Sequence, residues 1–235
     1  MGDDSIVCLL SHKCSGQICG REVGSLSRRL AESLAHYMIT LLIDPFRYAD
    51  DFAVRMMSVE FEALLLLISP ASLKSKPVQV ELRTPRRRGV PIFTALLEGE
   101  MPGNFKRRLS WNLKDLNDEE FADQVRLLAD SMWMRVKAYR EIQLLNETNP
   151  PDVTRDAAQN LASFDDRSVV SELAGELAKR YRRISDPTTC FYIALALGNA
   201  CTPEAAKLLQ GLPEKDHPLP GQGIQQALEM IADGC

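Results

Sequence analysis

One carboxylate in this chain stands where an α/β protein would do chemistry. Glu81 follows an apolar run, Ala63-Leu64-Leu65-Leu66-Leu67-Ile68, that stops at Ser69-Pro70. A polar segment, Ala71 to Lys76, separates the two. Pro77-Val78-Gln79-Val80-Glu81-Leu82 then reads as a short helix with Pro in its first turn, where the missing N–H costs nothing. After Pro85-Arg86-Arg87-Arg88-Gly89 comes a second apolar run, Val90 to Leu97. Both runs are too short to span a membrane and read as strands buried on both faces, the mark of a parallel sheet. Glu81 then lies just beyond the carboxyl end of a strand, where open α/β sheets bind ligands. Taken alone, the same residue could be an ordinary solvated acid. A second group, His12, Cys14 and Cys19, lies close together in sequence, but no fourth partner stands at zinc-site spacing. A metal site stays open there; a reduced cytosolic loop is the better reading. Arg86-Arg87-Arg88 is most simply a solvated helix end.

These residues need a scaffold, and the chain supplies one in order. Ser5 to Leu10 is a first buried strand, ending at Ser11-His12, with Cys8 inside it as a small hydrophobe. The stretch from Lys13 to Gly20 is expected to be a loop. A helix of about Arg21 to Tyr37 follows, with Val23, Leu26, Leu30 and Leu34 at helical spacing. Met38 to Ile43 is a second strand. Asp44 to Phe52 is a polar and aromatic loop, and Asp50 or Asp51 could cap a helix over Ala53 to Phe61. Asn112 to Leu116 is expected as a short edge strand. Asp118-Glu119-Glu120 opens a long helix to about Leu145, with Phe121, Val125, Leu128, Met132 and Val136 on one side. Alternating strands and helices with short connections predict a flavodoxin-like parallel sheet of about five strands with helices on both faces.

Asn149-Pro150-Pro151 marks a boundary, giving domains 1–148 and 149–235. Beyond it only helices are expected: Thr154 to Ser163, Arg167 to Ile184, one starting at Asp186-Pro187, one at Thr202-Pro203, and Ile224 to Ile231 after the stretch Pro218 to Gly223. Their paired spacing suggests stacked helical hairpins. Two such repeats are few for independent stability, so they are expected to dock on the long helix before Pro150 or on a second chain.

Composition narrows the function classes. The chain has 235 residues, 45% hydrophobic and 26% charged, as globular domains do. The first 149 residues carry equal numbers of basic and acidic side chains, so the net charge of −4 belongs to the rest. No basic excess marks a nucleic-acid binder. No run has transmembrane length, and Asp3 and Asp4 stand where a secretory signal would be basic. A cytoplasmic location is expected. A phosphoacceptor receiver would want an acidic cluster after the first strand, where Leu10-Ser11-His12 stands. A dinucleotide-binding fold would want G-x-G-x-x-G there, and Cys14 to Gly20 does not supply it.

Several pieces, in order and at matching spacing, resemble one family. They are Ser5-Ile6-Val7-Cys8-Leu9-Leu10-Ser11-His12, Ile43-Asp44-Pro45-Phe46-Arg47, Leu65-Leu66-Leu67-Ile68-Ser69-Pro70-Ala71-Ser72-Leu73, Ser75-Lys76-Pro77-Val78-Gln79-Val80-Glu81-Leu82 and Gly89-Val90-Pro91-Ile92-Phe93. Residues 5–145 resemble a bacterial Toll/interleukin-1 receptor (TIR) domain. Pro77-Val78 stands where that family often has Trp-Cys, and the loop after the first strand is longer than usual. Thr154 to Leu161 and Ala194 to Ala205 resemble HEAT-like repeats, which are usually interaction surfaces.

The TIR resemblance implies an NAD hydrolase that cleaves the nicotinamide–ribose bond, with NAD as substrate and neither cofactor nor metal. It makes Glu81 the catalytic carboxylate. Ser11, His12 and Ser75 would help form the pocket, and Asp44, Phe46 and Arg47 its rim, Arg47 as a phosphate contact. Each has a plainer reading: His12 as a loop residue, Asp44-Pro45 as a turn, Arg47 as a surface charge. The resemblance also implies activation by TIR self-association, in signalling or anti-phage defence, with a protein partner on the repeats. The alternative is a non-enzymatic adaptor acting through TIR–TIR and repeat contacts.

Overall fold

The computed structural model describes residues 5–11, 16–43, 60–75, 78, 82, 89–102 and 110–234; for 16–25 and Ala71 only the main chain is considered. The chain forms two compact units, Met1–Val136 and Lys137–Cys235.

The first unit is built on five parallel strands: β1 (Ile6–Ser11), β2 (Ile39–Ile43), β3 (Ala63–Ile68), β4 (Ile92–Leu96) and β5 (Ser110–Asn112). Their order is β2-β1-β3-β4-β5, the flavodoxin-like order. All six residues of β3 are buried, as its unbroken apolar run requires. Alternation along the strands divides the core in two. Ile6, Cys8 and Leu10 of β1, Ala63, Leu65 and Leu67 of β3, and Phe93 and Ala95 of β4 face one side. That side is covered by α1 (Gly16–Ala35), through Leu30 and Leu34, and by α3 (Asp118–Leu144), through Phe121, Val125, Leu128, Met132 and Val136. Arg29 ties α1 to α3, stacking 3.8 Å over the Phe121 ring and pairing with Asp118 at 2.7 Å. Leu9, Leu64, Leu66 and Ile68 face the other side, where Phe61, Val78 and Leu82 cover them. Val78 and Leu82, both helical and four residues apart, bury one stripe of the stretch expected to carry Glu81.

Three expectations change here. Gly16 to Gly20 is the first part of α1 and not a loop; two glycines cost about 1 kcal/mol each in a helix, and the helix absorbs that. The edge strand is Ser110–Asn112, not Asn112 to Leu116. Lys114 and Asp115 turn the chain, Asp115 at φ +54, while Trp111 is the buried strand residue. Glu60 and Phe61 are not helical; residues 53–59 lie outside the described part. A short helix the sequence hid, α2 (Pro70–Leu73), directly follows β3.

The second unit contains only helices among its described residues. It begins inside α3, whose Ala138 and Ile142, with Leu145 just beyond the helix, join the helical core. Then come α4 (Pro151–Ala162), α5 (Arg167–Arg183), α6 (Pro187–Asn199), α7 (Pro203–Gln210) and α8 (Pro218–Ala232). Four of these begin with Pro in the first turn. Asp166, Asp186 and Thr202 are N-caps that accept from the next turn's amides. The fifth helix starts at Pro218, not at Ile224, because Gly221 and Gly223 continue it. Gly223 lets α8 approach α6: a Cβ there would meet Phe191 at 2.9 Å. Gly198 does the same from α6, 2.9 Å from Ala227.

Candidate functional site

The carboxyl edge of the sheet is built from the ends of β1, β2 and β3. Ser11, the last residue of β1, is fully buried and stands opposite Leu66 of β3. Ile43, the last of β2, stands opposite Leu10. So the two strands that lead, in sequence, to His12 and Asp44 end side by side. β1 and β3 are also where the strand order reverses, the topological switch point of this sheet.

Just past β3, Ser69 and Ser72 close a reciprocal cap. The Ser69 side chain accepts from the Ser72 N–H at 3.1 Å, and the Ser69 N–H donates to Ser72 Oγ at 2.8 Å. Both serines are buried, and the cap fixes the direction in which the chain leaves the sheet. Ser75 is buried too, and its N–H donates to the Ser72 carbonyl at 3.1 Å. Of the expected site residues, Ser11 and Ser75 are therefore on this edge. His12, Asp44, Phe46, Arg47 and Glu81 lie outside the described residues, as do Cys14 and Arg86 to Arg88.

The sequence reading passed over Thr94. This hydroxyl is fully buried within an otherwise apolar strand and shares a row with Ser11, because Leu66 is opposite both. In-register residues of parallel neighbours point to one face, so Ser11 and Thr94 flank Leu66 on the side that Val78 and Leu82 cover. The signal was present: a polar residue inside an apolar run must find partners for its hydroxyl.

Carboxylates on this edge are few among the described residues. Glu98 and Glu100 follow β4 and are exposed, on either side of Gly99 at φ +80. Glu62 is at the opposite edge, accepting the Val7 N–H at 3.4 Å. Cys8 cannot serve as a nucleophile, because burial holds its thiol well above the usual range. No group of three or more His, Cys, Asp or Glu among the described residues could hold a metal ion. No described helix is long and apolar enough to cross a membrane.

In the helical unit the polar groups serve the fold. Burial pushes the Asp186 carboxyl up, but the Thr189 hydroxyl and N–H, with Arg155 at 3.3 Å, hold it below its ordinary value. Burial pushes Cys190 up to about 11 and Tyr181 up to about 12, so neither is poised to react near neutrality. Cys190 Sγ and Lys215 Nζ both donate to the Ile184 carbonyl, at 3.3 and 3.1 Å. Cys201 is disulfide-bonded, so the chain's cysteines are not all thiols. No protein-family model matches the chain, and no curated protein matches it.

Proposed function

We propose that this chain is a TIR-type NAD hydrolase whose active site is the carboxyl edge of the sheet, with Glu81 as the catalytic carboxylate. What supports the reading is the flavodoxin-like strand order with Ser11 at the switch point, together with the sequence pieces that resemble the family. The chemistry asks little of the protein. The bond between ribose C1′ and the nicotinamide nitrogen breaks, and its electron pair leaves with nicotinamide, neutralising the pyridinium. Positive charge develops on the ribose ring, and a carboxylate beside it stabilises that charge. Water then adds its oxygen to C1′ and gives up a proton, leaving ADP-ribose; attack from within the molecule gives the cyclic form. Ser11, His12 and Ser75 form the pocket; Asp44, Phe46 and Arg47 form the rim, Arg47 on the phosphates. Self-association of the TIR units activates the enzyme in signalling or anti-phage defence in the cytoplasm, and a protein partner docks on the HEAT-like repeats.

One observation favours the second reading, a non-enzymatic adaptor: Ser11 is wholly buried, so a substrate could not touch it without a change of conformation. Incubating the full chain with NAD and assaying free nicotinamide separates the two. The enzyme releases nicotinamide and Glu81→Ala does not. Equal traces from both proteins would leave the adaptor.

A further inference from the structure

The two edges of the sheet are built differently. β5 is three residues long and is followed, after the buried Leu113, by Lys114 and Asp115, the short, charged ending that protects an edge from pairing. β2 is five residues long, Ile-Thr-Leu-Leu-Ile, with no charge and no proline. Of the large apolar side chains exposed in the described chain, two bracket it: Met38 at 57% and Ile43 at 39% exposure. Met38 is not a frayed residue. Its N–H donates to the Ala35 carbonyl at 3.0 Å and its own carbonyl accepts from Ile6 at 2.9 Å. Beside it, Trp133 Nε1–H donates to the Tyr37 carbonyl at 2.8 Å. The turn thus holds an exposed methionine at φ +60, a conformation that a non-glycine residue adopts at a cost.

The hydrogen-bond parity of β2 says what could pair with it. The Met38 carbonyl points to β1, where Ile6 donates to it. Backbone groups alternate sides along a strand, so Thr40 and Leu42 also address β1, and Ile39, Leu41 and Ile43 address the open edge. These three positions are symmetric about Leu41. A second β2 laid antiparallel across a two-fold axis would set Leu41 against Leu41 and Ile39 against Ile43. Every outward N–H and C=O would meet its complement, in about six hydrogen bonds. Thr40 would oppose Leu42, so no like charges would meet.

We infer that the β2 edge is an interface through which two copies of this chain pair, joining their sheets into one. A second copy fits better than a foreign peptide because the edge is complementary to itself and carries no charge for a partner to read. Such pairing gives the self-association proposed above a surface but does not require the chain to be a hydrolase: loss of pairing in Ile43→Lys tests the edge, and nicotinamide release tests the reaction.

Sedimentation of the full chain over a range of concentrations tests it. Wild-type protein is expected to form dimers that dissociate on dilution. Ile43→Lys places a cation on the exposed edge, and Leu41→Pro deletes an outward N–H that β1 does not use. Each is expected to weaken dimerisation roughly tenfold or more while the far-ultraviolet circular dichroism is unchanged. If Leu41→Pro does not fold, Ile43→Lys alone decides. Wild-type protein that stays monomeric, or an Ile43→Lys variant that associates as tightly as wild type, overturns the inference.

Discussion

In the sheet unit, β3 is apolar from end to end, and the buried hydroxyls of Ser11, Ser69, Ser72, Ser75 and Thr94 gather in and beyond the carboxyl halves of the strands. In the helical unit Asp166, Asp186 and Thr202 stand at helix starts and answer orphan amides, while Arg180, Asn199 and Lys215 donate to carbonyls at or beyond helix ends. The first distribution places buried hydroxyls at one edge of the sheet; the second places capping groups at the starts of helices. One unit is thus arranged around an edge and the other around its own packing. The difference is why the functional proposal rests on the sheet.

Substitutions can break or sharpen that contrast. The largest effect is expected in the sheet core. Phe93 is buried and packs 6.1 Å from the Trp111 ring, so Phe93→Ala is expected to cost about 3–5 kcal/mol in a denaturant titration. A loss below about 1 kcal/mol would mean that this face of the sheet is not packed as described. Next comes the close approach of α6 and α8. Gly198→Ala puts a methyl group 2.9 Å from the Ala227 backbone, and about 1–3 kcal/mol of stability should be lost. The sharpest contrast is with Gly175→Ala at an exposed position of α5, where the added methyl group meets nothing within 4 Å. It should stabilise the protein by about 0.5–1 kcal/mol. If both glycine changes move the melting temperature the same way, the α6–α8 contact is wrong.

The cap at Asp186 is smaller and depends on pH. Asp186→Ala should cost about 1 kcal/mol at neutral pH. The carboxyl is held below its unfolded value in the folded chain, so the folded state favours the charged form. Its contribution is therefore complete above about pH 4 and is lost as pH falls through the lower folded value. Wild type and variant should converge in stability at acid pH. A gap that stays constant down to pH 2 would show that the cap acts through something other than charge.

What the sequence made legible follows the same division. Ala63–Ile68 was readable to the residue, since an unbroken apolar run bounded by Ser-Pro has one simple meaning. The stripe from Phe121 to Val136 and the starts at Asp186-Pro187 and Thr202-Pro203 were readable because period and capping are local. Glycines misled twice. Gly16 and Gly20 suggested a loop where α1 continues, and Gly223 suggested one where α8 needs to approach Phe191. Tertiary packing made glycine acceptable in α8, and no local rule carries that information. Trp111 as the buried residue of the edge strand was missed because three residues give no period to read. At the candidate site, Ser11 was legible as the end of an apolar run. Thr94 was visible as a polar residue inside an apolar run, but its place beside Ser11 was not, because that depends on strand order and register, which are long-range facts. Glu81 was singled out by its sequence position, and its place in the fold lies outside the described residues.

Nicotinamide release at high protein concentration, with oligomer size measured on the same samples, tests the carboxyl-edge site most directly. Wild-type chain should release nicotinamide from NAD, and Glu81→Gln, equal in size and uncharged, should release about a hundredfold less or lower still while keeping the same oligomer size. Equal release by the two proteins, or none by assembled wild type, would contradict a catalytic carboxylate at this edge.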